Sequence, residues 1–415
     1  MDGVRLASAD VVVVSSGNVI ADGAVAWQGQ TIAAVGPREE LRDTFPKAHE
    51  TPHSGCAIFP AFVNAHTHVC LSFLEGKAAY DGDFAAWLQR VLQAYLEWTE
   101  EDHANSLSSG LRQCIEAGTG AVGDIVNDWS ARTAYRGAAV GGTLFLQVTG
   151  FNPVVADVWL HNLHQLFDVP GARDELGNVR LGISPHAPYT TNADLYRACF
   201  ELAEKHDLLV MTHLAETPEE EQFLRTGTGI YRRMLRERGT WVAKWKPPNA
   251  TPVEYMEEQG LLSDRGIYAH VNYPHDGDLE LLAKRGVSVA YCPKSHAFFR
   301  HKPHRMDEMI ERGIRVALGT DGLSSNDSLA MLDEVKLVRR SFPHLSAETI
   351  FDAGTIRGAE ALRATAEYGT LEPDRKASFI IADLKQPADP DRVLEQLLGP
   401  ESRVTGVVAW GRTIR

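Results

Sequence analysis

His66-Thr67-His68 sets two imidazoles two residues apart just after a short apolar run. In an extended chain, positions i and i+2 share a face, so both rings can reach one ion. Three other segments carry residues of the same chemical reach: His213 and Glu216 in Met211-Thr-His-Leu-Ala-Glu-Thr217, His270 in Tyr268-Ala-His-Val-Asn272, and Asp321 in Leu318-Gly-Thr-Asp-Gly-Leu-Ser-Ser-Asn326. His66, His68, His213 and Asp321 offer three neutral nitrogens and one carboxylate, a set suited to a single Zn²⁺ or another divalent first-row metal. A further position stays open for water. Metal binding lowers the pKa of such water toward neutrality and supplies a hydroxide nucleophile without strong base. Asp321 is placed to touch the metal and to accept the proton of the water.

Glu216 lies three residues beyond His213, close enough to face the same cavity without joining the metal ligands. A carboxyl group there can shuttle a proton from water to a substrate nitrogen. His270 suits a hydrogen bond to the attacking hydroxide, which makes it a third catalytic candidate beside Glu216 and Asp321. His186, in Ser184-Pro-His-Ala-Pro-Tyr, can bind substrate or a second metal. A second ion in such a site usually needs a bridging group, often a carbamylated lysine, and residues 179–191 contain no lysine. One metal is therefore expected, with His186 a substrate contact together with Glu216, Trp245 and Ser325. Trp245 belongs to a Trp- and Pro-rich stretch, Arg225 to Pro252, that reads either as a lid over a planar substrate or as rings packed on a rim. Arg90, Arg225 and Arg300 are candidates for a carboxylate on a substrate tail, with solvated surface the favoured reading. The cluster His296, His301 and His304 reads as substrate contacts or surface before metal.

These residues need a scaffold that brings distant segments together. Eight apolar runs of strand length alternate with longer helical stretches: Ala57 to Val63, Gly120 to Ile125, Thr143 to Thr149, Val179 to Ser184, Leu208 to Thr212, Gly266 to Val271, Val287 to Cys292 and Ile314 to Gly319. That alternation predicts a (β/α)8 TIM barrel of the α/β class, whose reactive groups sit at the C-terminal ends of its strands. The candidates obey this rule, each following or ending a run. Both termini differ in style, with short β-branched runs and turn signals. Residues 1–56 and 368–415 are expected to pair as a small composite β-sandwich domain, leaving 57–367 for the barrel.

Composition narrows the partners. With 41 basic against 55 acidic side chains, the net charge of -14 argues against a nucleic acid partner. Five cysteines without Cys-x-x-Cys spacing suit a reducing compartment. There is no apolar run of membrane-spanning length and no signal-peptide pattern at the start, so a cytoplasmic protein is expected. A small-molecule substrate, and copies of the same chain, remain as partners.

Taken in order, His66-Thr-His68, His213-Leu-Ala-Glu216, His270 and Gly319-Thr-Asp321 resemble the amidohydrolase superfamily in its mononuclear deaminase branch. The resemblance implies a distorted barrel with one Zn²⁺ or Fe²⁺, in which hydroxide attacks an amine-bearing ring carbon and ammonia leaves. Ser184-Pro-His-Ala-Pro-Tyr and Gly319-Thr-Asp-Gly-Leu-Ser-Ser-Asn are similar to motifs of methylthioadenosine/S-adenosylhomocysteine deaminases. Phe84-Ala-Ala-Trp-Leu, the Trp/Pro insertion and Cys292-Pro-Lys-Ser look more like aminodeoxyfutalosine deaminases of menaquinone synthesis. A nucleoside of that kind is the expected substrate, ahead of adenosine, methylthioadenosine or another aminated heterocycle such as a pterin or triazine.

Overall fold

The computed structural model describes residues 3–128, 131–168 and 178–415; Met1 and Asp2, at the start of the expected composite domain, lie outside them. Two sheets organise the chain. Strands β1 (Arg5–Ser15), β2 (Asn18–Gln28), β3 (Thr31–Pro37) and β4 (His49–Pro60) open it. Strands β13 (Phe379–Asp383), β14 (Arg403–Ala409) and β15 (Arg412–Thr413) close it. They hydrogen-bond as one seven-stranded sheet in the order β15-β14-β13-β4-β1-β2-β3. The chain's two ends meet where β13 runs antiparallel to β4, Phe379 opposite Pro60 and Asp383 opposite Cys56. Within this mostly antiparallel sheet, β1 and β4 are parallel.

Between the ends lie β5 (Phe62–Thr67), β6 (Thr119–Val126), β7 (Gly141–Val148), β8 (Val179–Pro185), β9 (Leu209–Leu214), β10 (Gly266–His270), β11 (Ser288–Tyr291) and β12 (Arg315–Leu318). They form an eight-stranded parallel sheet in chain order with helices between, the (β/α)8 barrel that the apolar runs predict. The first run, Ala57 to Val63, proves to be divided. Its first half ends β4 in the composite sheet and its second half begins β5, so residues 57–60 lie outside the barrel. The apolar content of the run could not show this, because both strands are buried there.

All six residues of β5 are buried, as a parallel strand covered on both faces requires. Closure of the barrel is irregular. Instead of a ladder, β5 and β12 are joined by a single bridge from Thr67 to Asp321 and by buried side chains. Asn64 Nδ2 donates to Thr320 Oγ1 at 2.7 Å, Thr320 N to Asn64 Oδ1 at 3.1 Å, and Asp321 N to the His66 carbonyl at 3.1 Å. A Cβ on Gly319 would stand 2.5 Å from the His66 carbonyl oxygen, so the two chains can approach this closely only with glycine there.

Candidate active site

Each of the site's side chains sits where a strand gives way to its loop. His66 is the penultimate residue of β5, His68 follows it, His213 is next to last in β9, and His270 ends β10. Three of these turns pass through left-handed backbone at residues other than glycine: Ala215 (φ 48), His270 (φ 72) and Asp321 (φ 56). Such strain persists only where surrounding bonds impose it, and it concentrates at functional sites.

The imidazoles converge. His68 Nε2 and His213 Nε2 are 3.2 Å apart, while Asp321 Oδ1 lies 3.5 Å from His66 Nε2 and 3.7 Å from His68 Nε2. Two nitrogens bound to one tetrahedral ion at ordinary zinc distances stand about 3.3 Å apart, so this spacing fits a shared metal. His66 Nε2 is buried without a hydrogen-bond partner, as a ligand atom awaiting an ion would be. His213 Nδ1 donates to the His186 carbonyl at 2.9 Å, which leaves its Nε2 lone pair facing the cluster. Asp321 is held from behind by Ser295 and Ser325, whose hydroxyls each donate to Oδ2 at 2.7 Å, so Oδ1 faces the histidines.

Burial, reinforced by neighbouring imidazoles, pushes His68 well below its usual pKa and His213 to about 4. Burial acts likewise on His186 and His270. Neutral rings are the form that binds a metal. The two carboxyls diverge. Burial, then the charges of Asp321 and Glu220, raises Glu216 well above the usual carboxyl range. Burial opposes ionisation of Asp321 too, but the His66 imidazole 3.5 Å away and those of His270 and His68 hold it well below the usual carboxylate range. Two carboxyls pushed in opposite directions line one cavity, the pattern that separates an acid from a base. Glu216 Oε1 stands 3.6 Å from His270 Nε2.

His68, His186, His213, Glu216, His270 and Asp321 line one open pocket. Its opposite wall is the helix Phe84–Leu96, which presents Phe84, Trp87, Leu88 and Val91 at the i, i+3, i+4, i+7 spacing of a single face. Asn127, Gln147, Tyr189 and Ser324 also line it, with Leu71, Leu92 and Tyr95. That helical spacing beside His-x-His was the available signal for the wall. Asn127 and Gln147 carried no signal, since a lone amide in sequence does not show which way it faces.

Two expected substrate contacts stand elsewhere. Trp245 stacks on Phe223 with centroids 4.8 Å apart and meets Phe151 edge-on, so its ring is spent on packing and does not line the pocket. Ser325 reaches Asp321 and not the pocket; its neighbour Ser324 takes the lining position. His186 does line it, its Nδ1 2.7 Å from Thr190 Oγ1. Arg90 and Arg225 pair with Asp81 and Glu221, and neither they nor Arg300 lines the pocket. His304 is buried and bonds the His270 carbonyl through Nε2 at 3.0 Å, which makes it part of the support beneath the site.

The fold and these residues define a metal-site (β/α)8 hydrolase barrel. Residues 57–413 match the amidohydrolase family, and 23–48 match an imidazolonepropionase-like composite domain of bacteria. The chain belongs to the amidohydrolase family and is a hydrolase of carbon–nitrogen bonds in cyclic amidines. It is 30% identical over 411 residues to a 5-methylthioadenosine/S-adenosylhomocysteine deaminase of Nitratidesulfovibrio vulgaris, covering 96% of this chain and 86% of the relative. An aminodeoxyfutalosine deaminase of Deinococcus radiodurans is 29% identical over 366 residues, covering 85% and 84%. Among solved structures, Helicobacter pylori aminofutalosine deaminase in complex with methylthio-coformycin superposes with a TM-score of 0.84 at 22% identity, over 99% of each chain.

Proposed function

We propose that the protein is a metal-dependent hydrolytic deaminase of an adenine-type ring in a nucleoside, with 6-amino-6-deoxyfutalosine of menaquinone synthesis as its preferred substrate. The observation that carries the reading is the convergence of the His66, His68 and His213 imidazoles with Asp321 beside a pocket that Glu216 also lines. His66, His68, His213 and Asp321 would hold one divalent ion, zinc by the nature of the donors. When bound, it would lower the pKa of water at the site.

The protein's own groups then divide the proton traffic. Glu216 gives its proton to ring nitrogen N1 as water adds to C6, and Asp321 accepts the proton that the water loses. His270, neutral and 3.6 Å from Glu216, orients the attacking oxygen by hydrogen bonding. Glu216 next takes the proton of the new C6 hydroxyl and hands it to the amine, which departs as ammonia. Exchange with solvent returns the proton on Asp321 to Glu216. The apolar face of Phe84, Trp87, Leu88 and Val91 would cover the planar ring and exclude bulk water.

The test is a panel of adenosine, methylthioadenosine, S-adenosylhomocysteine and 6-amino-6-deoxyfutalosine, followed by loss of adenine absorbance with metal-replete protein. Turnover highest for 6-amino-6-deoxyfutalosine supports the full reading. Turnover highest for another member corrects the substrate, and no turnover of any overturns the nucleoside assignment.

A further inference from the structure

Glu220 lies in the first turn of the helix Pro218–Thr226 and is fully buried. A glutamate three residues after a Thr at the helix start ordinarily closes a capping box, reaching back to the backbone N–H of that Thr. Here it reaches further. Its two oxygens accept from the N–H groups of Ala215, at 3.1 Å, and Glu216, at 3.0 Å. Thr217, the residue that would complete the box, makes no capping bond and meets the Tyr231 hydroxyl at 2.7 Å instead.

The gripped segment is the left-handed turn at Ala215, which separates His213 from Glu216. Its carbonyl side is tied as well: the Asn272 and Tyr273 N–H groups donate to the Ala215 carbonyl at 2.9 and 3.1 Å, and Asn272 Nδ2 donates to the Glu216 carbonyl at 3.1 Å. Without the two bonds to Glu220, the amides of Ala215 and Glu216 would be buried unpaired, and nothing on that side would hold Ala215 at positive φ. The next residue after that turn, Glu216, lines the pocket.

We propose that Glu220 is the positioning residue for Glu216: its carboxyl group, by straddling two consecutive amides, locks the turn that aims the Glu216 carboxyl at the reacting ring. The proposal rests on the proton-shuttling role of Glu216 given above, and it assigns Glu220 no contact with substrate or metal.

The test compares Glu220→Gln in the native background and in Glu216→Gln. The amide retains one acceptor and turns its NH2 toward the other N–H, so one bond is lost at constant size. In the native background kcat should fall about 100-fold, as a displacement of about 1 Å does, with KM nearly unchanged and one metal per chain retained. In the Glu216→Gln background the same change should cost less than about 3-fold, because a residue acting through another is not additive with it. A crystal structure of Glu220→Gln should show Ala215 out of the left-handed region and the Glu216 carboxyl moved from beside His270. Equal losses in both backgrounds, a loss that tracks metal content, or an unmoved Glu216 would each overturn the proposal. Should Glu220→Gln fail to fold, Glu220→Asp, whose shorter arm reaches only one amide, serves for the same measurements. If the native protein deaminates no nucleoside, the proposed function has failed, and the position of Glu216 in the variant crystal still decides this inference.

Discussion

Ser325 donates its hydroxyl to Asp321 Oδ2 at 2.7 Å, so a residue that does not line the pocket fixes which oxygen of the proposed base faces it. Ser295 duplicates the bond. Removing one leaves the carboxylate freer to rotate and half as well compensated. Ser325→Ala should lower kcat about 10-fold, near the low end of the 1.5–3 kcal/mol of a hydrogen bond to a charged group, with the metal retained. Steady-state kinetics with metal analysis checks it; unchanged kcat would mean that Ser295 suffices.

Glu216→Gln should bind its metal as the native protein does and lose about 10³-fold or more in kcat, the range for removal of a general acid. Metal content by elemental analysis is the decisive companion measurement. Loss of metal in this variant would place Glu216 among the ligands.

Trp245→Ala should leave KM within about 2-fold while destabilising the protein by about 3 kcal/mol, since its ring is packed on Phe223 and Phe151 and faces no substrate. Denaturant unfolding and kinetics on the same sample separate the two effects. A large rise in KM at native stability would restore the lid reading.

In the composite sheet, Glu50 accepts from Arg42 Nε at 2.7 Å, Ser8 Oγ at 2.6 Å and Arg38 Nε at 2.8 Å, and these bonds, Arg42 first, lower its pKa to about 2 against the pull of burial. A depressed carboxylate stabilises the fold above its unfolded pKa and loses that contribution as pH falls toward the folded value. Arg42 is half exposed and screened, so about 1–2 kcal/mol is expected at pH 7. Glu50→Gln should therefore unfold at a lower temperature than the native protein at pH 7, with more than half of the difference gone by about pH 3. A difference independent of pH would show that packing, not charge, is what Glu50 supplies.

The barrel was legible because each strand is a local object: an apolar run that ends in a chemically capable residue announces both the element and its active end. His66, His68, His213, Glu216, His270 and Asp321 all follow that grammar; all but His66 line one pocket, and His66 Nε2 lies 3.5 Å from Asp321 Oδ1. Trp245 and Ser325 broke the expectation because ring stacking and hydroxyl geometry depend on which residue stands across the gap, and neither Phe223 nor Asp321 is marked in sequence as that partner. Glu220 was hidden for a similar reason. A glutamate in a first helical turn looks like ordinary capping until its oxygens are seen to reach past the cap. The divided run Ala57 to Val63 shows the remaining limit, since hydrophobicity reports burial but not the sheet in which a residue is buried.

The stitched junction between β5 and β12 has a bearing on how the protein is made. Thr67 and Asp321, 254 residues apart, meet only when the last barrel strand docks beside the first. A nascent chain that has emerged as far as β11 already carries three histidines of the centre but lacks its carboxylate. The four proposed donors can therefore come together only after β12 has been made, late in synthesis.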